Sequence, residues 1–141
     1  MPDFTVAHLD ILHVEDDPHC VELVQRALRK LPGAPAYAAF PDNDQALKFL
    51  TTQARLPRLL LLDLRLTRGS GLQLLEILRA HERTRGLPVV VFTSSQERRD
   101  VTEAYQLGAN SYIIKPVEYK EFVSAIAQVV TYWFDANYQN S

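Results

Sequence analysis

The stretch LLLLDLRL at residues 59–66 places one carboxylate, Asp63, directly after four consecutive leucines. This apolar run follows Pro57 and precedes the turn-forming Gly-Ser-Gly at residues 69–71. It predicts a strand buried on both faces, as in the middle of a parallel sheet. An ionised carboxylate at the end of such a strand costs roughly several kcal/mol unless a partner neutralises it. The rest of the chain must therefore supply that partner.

The composition is typical of a single soluble domain. The chain has 141 residues, of which 47% are hydrophobic and 23% are charged, enough for one complete hydrophobic core. A net charge of −2 predicts neither nucleic acid nor an anionic membrane as a partner. No apolar run approaches the ~20 residues of a membrane span, and residues 1–10 lack a signal-peptide pattern. Because Cys20 is the single cysteine, we expect no intrachain disulfide and a cytoplasmic location.

Apolar runs alternate with helix signals along the chain. Strands are predicted at residues 10–14, 36–40, 59–66, 89–93 and 111–115. Helix starts are predicted from capping and turn residues at 17–18, 42–45, 69–71, 94–97 (Ser94 with Glu97) and about 117, with the last helix extending to 135. Five buried strands that alternate with helices predict a parallel sheet covered by helices on both faces.

The carboxyl ends of the predicted strands carry a distinctive set of side chains. These are Glu15 and Asp16, then Asp63, Thr93 and Lys115. In a parallel sheet with two helical layers, they would face one crevice of the kind that binds ligands. Three close carboxylates repel one another, and a hard cation with oxygen ligands, such as Mg²⁺, relieves that repulsion. Together with a hydroxyl and an ammonium group, the set suits phosphoryl transfer onto a carboxylate.

Four motifs, in this order and spacing, give the chain a strong resemblance to receiver domains of two-component response regulators. They are VEDD at residues 14–17, LLDLRL at 61–66 with Gly71, VVVFTSS at 89–95 and GANSYIIKP at 108–116. The resemblance covers nearly the whole chain. It implies a flavodoxin-like, doubly wound (βα)5 fold with a five-stranded parallel sheet of order 2-1-3-4-5.

The same resemblance implies a single receiver domain over residues 6–137, with flexible termini at 1–5 and 138–141. It also assigns roles to the acidic residues. Asp63 matches the aspartate that accepts the phosphoryl group. Asp16 matches a direct Mg²⁺ ligand and Glu15 a ligand that acts through water.

The remaining roles implied by the resemblance concern the switch and the metal site. The backbone carbonyl of Arg65 matches the third protein ligand of Mg²⁺. Thr93 and Tyr112 match the switch pair, in which the hydroxyl moves to the phosphoryl group and the ring turns inward. Lys115 matches the phosphate-binding lysine, with a cis peptide bond to Pro116.

The chain departs from the family pattern just after Asp63. Residues 66–67 are Leu-Thr, where the family often has Met-Pro. A missing proline frees a backbone N–H, so the conformation of residues 65–68 is left open. Arg65 and Ser95 occupy the positions at which the family tunes the lifetime of the phosphoryl group, and the sequence does not give the direction of that effect.

The last predicted helix carries more apolar surface than one core face needs. One stripe is Phe122, Ala125, Ile126, Val129 and Trp133; a second is Tyr119, Val123, Ala127, Val130 and Phe134. The second stripe predicts a homodimer interface, with the fourth helix or fifth strand as further contacts. The alternative is that residues 4–6 cover this stripe.

The Tyr-Trp-Phe triplet at residues 132–134 points to a sub-family. Together with the DLRLTRGSG loop and the VVVFTSS strand, it resembles stand-alone regulators that serve phytochrome-type histidine kinases. The implied partners are a sensor histidine kinase, with a bacteriophytochrome as one candidate, and a downstream protein that the sequence does not identify.

Three functions compete on this evidence. The leading hypothesis is a single-domain phosphoacceptor switch, which catalyses its own phosphorylation and dephosphorylation but is not an enzyme for an external metabolite. The second is a degenerate receiver that acts as a constitutive scaffold. The third is a phosphatase with an aspartyl-phosphate intermediate, although such enzymes typically carry a second aspartate where this chain has Arg65.

The histidines and the cysteine receive structural roles in this interpretation. His8, His13, His19 and His81 show no shared metal-ligand spacing. They are predicted to be solvated or to be hydrogen-bonded in the core. Cys20 is predicted to be a small helical residue without chemistry.

Overall fold

The computed structural model describes residues 8–136, and its five strands form one parallel sheet. The strands are β1 (Ile11–Val14), β2 (Tyr37–Phe40), β3 (Leu59–Leu62), β4 (Val89–Thr93) and β5 (Ser111–Ile114). Their order is β2-β1-β3-β4-β5, with every neighbouring pair parallel. The predicted fold and strand order are confirmed. The predicted flexible termini lie outside the described residues.

Five helices connect and follow the strands. They are α1 (Pro18–Arg29), α2 (Asn43–Thr52), α3 (Gly71–Ala80), α4 (Arg98–Gln106) and α5 (Tyr119–Thr131), and a π-helical turn, Tyr132–Ala136, extends α5. None of the helices in residues 8–136 combines the length and apolarity that crossing a membrane requires.

The central strand β3 divides the hydrophobic core into two halves. Leu60 and Leu62 pack into one cluster, whereas Leu59 and Leu61 pack into the other on the opposite face of the sheet. Side chains alternate across a strand, so a run of four leucines fills both clusters. All four leucines are at most 1% exposed, which confirms that this strand is buried on both faces.

Most helix starts follow the predicted capping residues. The Asp17 carboxylate accepts a hydrogen bond from the His19 N–H, and Asp42 accepts one from Gln45. Ser70 and Gln73 form a reciprocal capping box at the start of α3. These bonds satisfy backbone donors that the first helical turn leaves unpaired.

The predicted capping box of Ser94 and Glu97 is wrong. Helix α4 begins at Arg98 without a side-chain cap from Glu97. The neighbouring residue Ser95 makes hydrogen bonds just before the helix: its Oγ accepts the Glu97 N–H at 3.3 Å and lies 2.5 Å from a carboxylate oxygen of Asp100. Two adjacent serines look alike in the sequence, and it is Ser95 that bonds Asp100.

Much of the second apolar stripe of α5 packs inside the chain. Helix α5 lies against α1, Val130 is buried, and the Phe134 ring lies 4.0 Å from the guanidinium carbon of Arg58. Tyr119 accepts a hydrogen bond from Lys30 at 3.2 Å. Intrachain packing therefore accounts for part of the wide apolar arc. The alternative cover, residues 4–6, lies outside the described residues.

A guanidinium group ties two loops together at the opposite edge of the sheet from the strand carboxyl ends. Arg79, near the end of α3, donates to the carbonyl oxygens of Thr84, Arg85, Leu87 and Gly108 and to the side-chain oxygen of Asn110. Burial lowers the pKa of Arg79 from its ordinary value. The planar five-donor fork of arginine suits this set of acceptors, and a lysine ammonium cannot reproduce it.

We expect Arg79→Lys to lower the free energy of unfolding by about 2 kcal/mol, because several carbonyl acceptors lose their donor. Urea unfolding of both proteins measures this difference. Arg85→Lys is the matched control: the Arg85 side chain is exposed, and we expect a change within about 0.5 kcal/mol. Equal midpoints for Arg79→Lys and the wild type would contradict the structural role of this guanidinium.

Candidate functional site

The carboxyl edge of the sheet brings the predicted acidic residues together. Asp63 directly follows β3, and its N–H donates to the Val14 carbonyl at the end of β1. Glu15 directly follows β1, and its N–H donates to Phe40 at the end of β2. The ladder hydrogen bonds therefore fix both carboxylates at one edge. Both are almost completely buried, with 4% of Asp63 and 3% of Glu15 exposed.

The Lys115 ammonium group joins these two carboxylates. Its Nζ lies 2.6 Å from a Glu15 oxygen and 3.1 Å from an Asp63 oxygen. Burial alone lowers the pKa of Lys115, but the Glu15 hydrogen bond and the Asp63 charge outweigh burial and raise it. Burial raises the pKa of Glu15, and the Lys115 hydrogen bond opposes that rise. Lys115 is thus the partner that the buried carboxylate of Asp63 requires.

Asp16 is held by the loop that departs from the family pattern. Its carboxylate accepts a hydrogen bond of 2.5 Å from the backbone N–H of Thr67. Hydrogen bonds from Thr67 lower the pKa of Asp16. A proline at position 67 would have no N–H to donate. The Leu-Thr pair at residues 66–67 therefore gives the loop a specific anchor, and Thr67 is a site residue that the sequence analysis missed.

Backbone hydrogen bonds hold the loop after Asp63 at both ends. The Arg65 N–H donates to an Asp63 carboxylate oxygen at 3.2 Å, and Gly71 donates to the Leu64 carbonyl. A Cβ on Gly71 would overlap the Asp63 backbone carbonyl oxygen. Only glycine permits this approach of two backbone segments, which explains why the motif has Gly71 eight residues after Asp63.

The predicted switch residues Thr93 and Tyr112 both contact Ser95. Thr93 is fully buried, and its Oγ1 lies 3.4 Å from the Ser95 N–H, which donates to it. The Tyr112 hydroxyl donates to the Ser95 carbonyl at 2.9 Å, and its ring packs against the cluster that contains Leu60 and Leu62. In this structure the Tyr112 ring therefore contacts the segment between β4 and α4.

An ion-pair network that the sequence analysis missed connects the loop after β3 to α4. The Arg65 guanidinium lies 2.7 Å from an Asp100 carboxylate oxygen and 3.7 Å from Glu97. The Ser95 hydroxyl and then Arg65 lower the pKa of Asp100. An acidic residue in the first turn of a helix is a recognised signal, but nothing in the sequence indicated that Arg65 would reach it.

The imidazole of His13 is buried beneath the acidic edge of the sheet. The His13 Nδ1 lies 2.6 Å from the Tyr37 hydroxyl, whereas Nε2 has no hydrogen-bond partner within the described residues. Burial, followed by the charge of Lys115, lowers the pKa of His13 to about 3, so the ring is neutral. Burial raises the pKa of Cys20 to about 12. The prediction of a hydrogen-bonded core histidine is thus correct for one ring nitrogen and wrong for the other.

The Lys115–Pro116 peptide bond differs from the expectation. The described residues contain no cis peptide bond, so the implied cis form is wrong for this structure. The trans form is the intrinsically favoured one before proline, by about 0.5–1 kcal/mol. Lys115 nevertheless reaches both carboxylates.

Comparison with known families matches residues 11–127 to the response regulator receiver domain. The probable methanogenesis regulatory protein FilR2 of Methanothrix harundinacea is 34% identical over 131 residues, which are 90% of this chain and 84% of that protein. The phosphate regulon transcriptional regulatory protein PhoB of Escherichia coli is 37% identical over 120 residues, 85% of this chain. The chain spans about half of PhoB, 51% of its length.

Two solved structures are similar over almost the whole chain. The phosphorylated cyanobacterial phytochrome response regulator RcpA has a TM-score of 0.89 and 26% identity, covering 96% of this chain and 100% of that one. The Mn²⁺-bound form of the response regulator Rcp1, a protein of Synechocystis sp., has a TM-score of 0.86 and 28% identity. That match covers 94% of this chain and 99% of Rcp1.

We expect Lys115→Met to lower the free energy of unfolding by about 3 kcal/mol at pH 7, because it leaves two buried carboxylates without a cation. Without Lys115, burial holds the folded pKa of Glu15 above its unfolded value. The folded state then binds a proton first, so the loss is largest at neutral pH and shrinks as the pH falls through that folded pKa.

Urea unfolding between pH 5 and pH 8 measures this dependence. Lys120→Met is the matched control, because Lys120 is exposed and its replacement is expected to change stability by less than about 0.5 kcal/mol at each pH. A Lys115→Met penalty that stays constant or grows on acidification would count against the bridging role of this lysine.

Proposed function

The chain belongs to the family of response regulator receiver domains, and we propose that Asp63 accepts a phosphoryl group from the phosphohistidine of a partner sensor kinase. A carboxylate oxygen of Asp63 forms the new O–P bond as the N–P bond of the phosphohistidine breaks. The electron pair of that bond stays on the imidazole, which takes a proton from water. The product is an aspartyl phosphate on this chain.

The observation that carries this proposal is the position of Lys115. Its ammonium group already contacts the Asp63 carboxylate at 3.1 Å, so it is in reach of oxygens that an incoming phosphoryl group brings to Asp63. A preorganised cation at that point stabilises developing negative charge without reorganisation during the reaction. The buried Thr93 hydroxyl, at the end of the adjacent strand β4, is the proposed second donor to the phosphoryl oxygens.

The donor set at the sheet edge fits Mg²⁺. The carboxylates of Asp16 and Asp63, the backbone carbonyl of Arg65 and, through water, Glu15 would hold it, because this cation prefers oxygen ligands and retains several waters. In this structure the carboxylate oxygens of Glu15, Asp16 and Asp63 are not all within 4.8 Å of one another. The Asp16 carboxylate instead accepts a hydrogen bond from the Thr67 N–H. Mg²⁺ would neutralise negative charge on the phosphoryl oxygens. The similarity to Mn²⁺-bound Rcp1 supports this site.

The proposed output is a change in protein contacts. Ser95 touches both Thr93 and Tyr112, so a shift of the Thr93 hydroxyl towards a phosphoryl group would disturb the segment before α4 and the Tyr112 hydrogen bond. The proposed kinase is of the phytochrome type, on the basis of the similarity to RcpA.

Acetyl phosphate with Mg²⁺ tests the phosphoacceptor directly. We expect intact-mass spectrometry to detect one labile phosphoryl group on the wild type and none on Asp63→Asn, which removes the nucleophilic carboxylate. Asp44→Asn is the matched control, because Asp44 lies on the first turn of α2, and its variant should be labelled as the wild type is.

Labelling of Asp63→Asn to the same extent would overturn the assignment of Asp63. No labelling of the wild type by acetyl phosphate or by a cognate kinase would favour the constitutive scaffold.

We also propose a homodimer through α5 together with β5. Intrachain packing leaves large apolar side chains exposed on α4, on β5 and around the start of α5, namely Tyr105, Ile114, Val117 and Tyr119. Val123 and Ala127, from the same stripe as Tyr119, are half-buried. The proposed interface residues are thus Tyr119, Val123 and Ala127, with Val130 and Phe134 contributing more to the chain's own core.

Gel filtration tests the dimer. The wild type should elute at the volume of a dimer and Tyr119→Asp at that of a monomer, because a charge in the interface must be desolvated without a partner. Ile77→Asp is the control, since Ile77 is similarly exposed but lies on α3, and it should elute as the wild type does. A monomeric wild type would rule out the interface.

A further inference from the structure

Three potential metal ligands converge beneath the acidic edge of the sheet. The ligand atoms of His13, Glu15 and Cys20 all lie within 4.8 Å of one another. Their residues are 0%, 3% and 4% exposed, respectively. His13 comes from the middle of β1, Glu15 from its end and Cys20 from the first turn of α1, so two rigid elements position the three groups.

The His13 ring supplies a second, independent observation. Its Nε2 has no hydrogen-bond partner among residues 8–136, although the residue is fully buried. This nitrogen lies 3.9 Å from a Glu15 carboxylate oxygen, so it faces the cluster. A buried polar atom without a partner is costly, and a bound ion would remove that cost.

The opposite side of the ring is already arranged as in a metal site. The Tyr37 hydroxyl lies 2.6 Å from the His13 Nδ1. Histidine ligands usually bond through their second nitrogen to an outer partner that fixes the tautomer and the ring orientation. Tyr37 can accept from Nδ1–H, and in that tautomer the Nε2 lone pair points at Glu15 and Cys20.

We propose that His13, Glu15 and Cys20 form a binding site for a thiophilic divalent cation of the Zn²⁺ class. A thiolate, an imidazole and a carboxylate match the ligand preferences of Zn²⁺ and disfavour Mg²⁺, which requires oxygen ligands. One thiolate and one carboxylate balance the two charges of the ion, as burial requires. Tetrahedral Zn²⁺ sites hold ligand atoms about 3.5 Å apart, so the three groups need to close in by only about 1 Å.

The site has a route to solvent. Cys20 and Lys115 line an open cleft between α1 and the start of α5, together with His19, Pro116, Tyr119 and others. An ion can reach the Cys20 sulfur along this cleft, and water can fill the fourth coordination position from it. Three protein ligands with one open position are a recognised arrangement for Zn²⁺.

The proposed site shares Glu15 with the acidic pocket, which gives it a consequence for signalling that rests on the proposed function. A cation bound to Glu15 displaces the Lys115 ammonium from that carboxylate and withdraws Glu15 from the set that would hold Mg²⁺. Occupancy of the buried site should therefore lower the phosphorylation of Asp63.

Cobalt titration of the full chain under reducing conditions tests binding without any reference to phosphorylation. Cys20 is the single cysteine, so a thiolate-to-cobalt charge-transfer band in the near ultraviolet reports on Cys20 alone. We expect this band to saturate at one Co²⁺ per chain and to be displaced by Zn²⁺. Binding of Co²⁺ without the band would mean that the ion binds only to exposed histidines, and this result would overturn the proposed site.

Two further variants define the ligands. Tyr37→Phe should weaken Co²⁺ binding by about 10- to 100-fold, as expected for loss of the outer partner of a ligating histidine, while the far-ultraviolet circular dichroism stays unchanged. His19→Ala should retain the band and its affinity, and Asp63→Asn should retain the band. Unaltered affinity in Tyr37→Phe would remove His13 from the site, and loss of the band in Asp63→Asn would move the ion to the acidic pocket.

The predicted effect of Zn²⁺ on the phosphorylation of Asp63 is tested by labelling with acetyl phosphate and Mg²⁺ in the presence and absence of one equivalent of Zn²⁺. Zn²⁺ should lower the labelling of the wild type and leave Cys20→Ala labelled as before. Equal inhibition of both proteins would overturn the coupling. If the wild type is not labelled even without Zn²⁺, the proposed phosphoacceptor function fails, and the cobalt band still decides the metal site independently.

Discussion

The contact of one ammonium group with two buried carboxylates organises the carboxyl edge of this sheet. Glu15, Asp63 and Lys115 come from the ends of three different strands, and parallel register brings the ends together. Two carboxylates at this depth repel each other, and the ammonium of Lys115, 2.6 Å from Glu15 and 3.1 Å from Asp63, offsets that repulsion. The arrangement of β1, β3 and β5 is therefore coupled to the charge balance of the pocket, and the proposed function assigns a second task to the same cation.

The departure from the family pattern in the loop after Asp63 has a structural explanation. With threonine in place of proline, the Thr67 N–H is available and binds the Asp16 carboxylate. Two positions earlier, Arg65 donates its N–H to Asp63 and extends its side chain to Asp100 on α4. Charge-assisted hydrogen bonds are stronger than neutral ones, although the Arg65 side chain is largely exposed and its ion pair is correspondingly screened. The loop whose conformation the sequence left open is thus anchored by three acidic residues outside it, Asp16, Asp63 and Asp100.

The sequence predicts those features that depend on local pattern. The four leucines of β3, the Asp17 and Asp42 caps and the strand-end positions of Glu15, Asp63 and Lys115 follow from periodicity and turn chemistry. Features that depend on a distant neighbour were missed. Arg65 reaches Asp100 on α4, and the wide apolar arc of α5 packs partly against α1. His13 is unremarkable in sequence, since Cys20 and Tyr37 approach it only once β1, β2 and α1 have assembled.

The close contact of Gly71 with the Asp63 carbonyl oxygen constrains the ends of this loop but not its interior. Its ends cannot change independently, because a side chain at Gly71 would push the backbone that carries Asp63. Its interior, by contrast, exposes Arg65, Thr67 and Arg68 to solvent. A change in the length of this loop would therefore shift the backbone that carries Asp63, whereas a change of an exposed side chain in its interior need not.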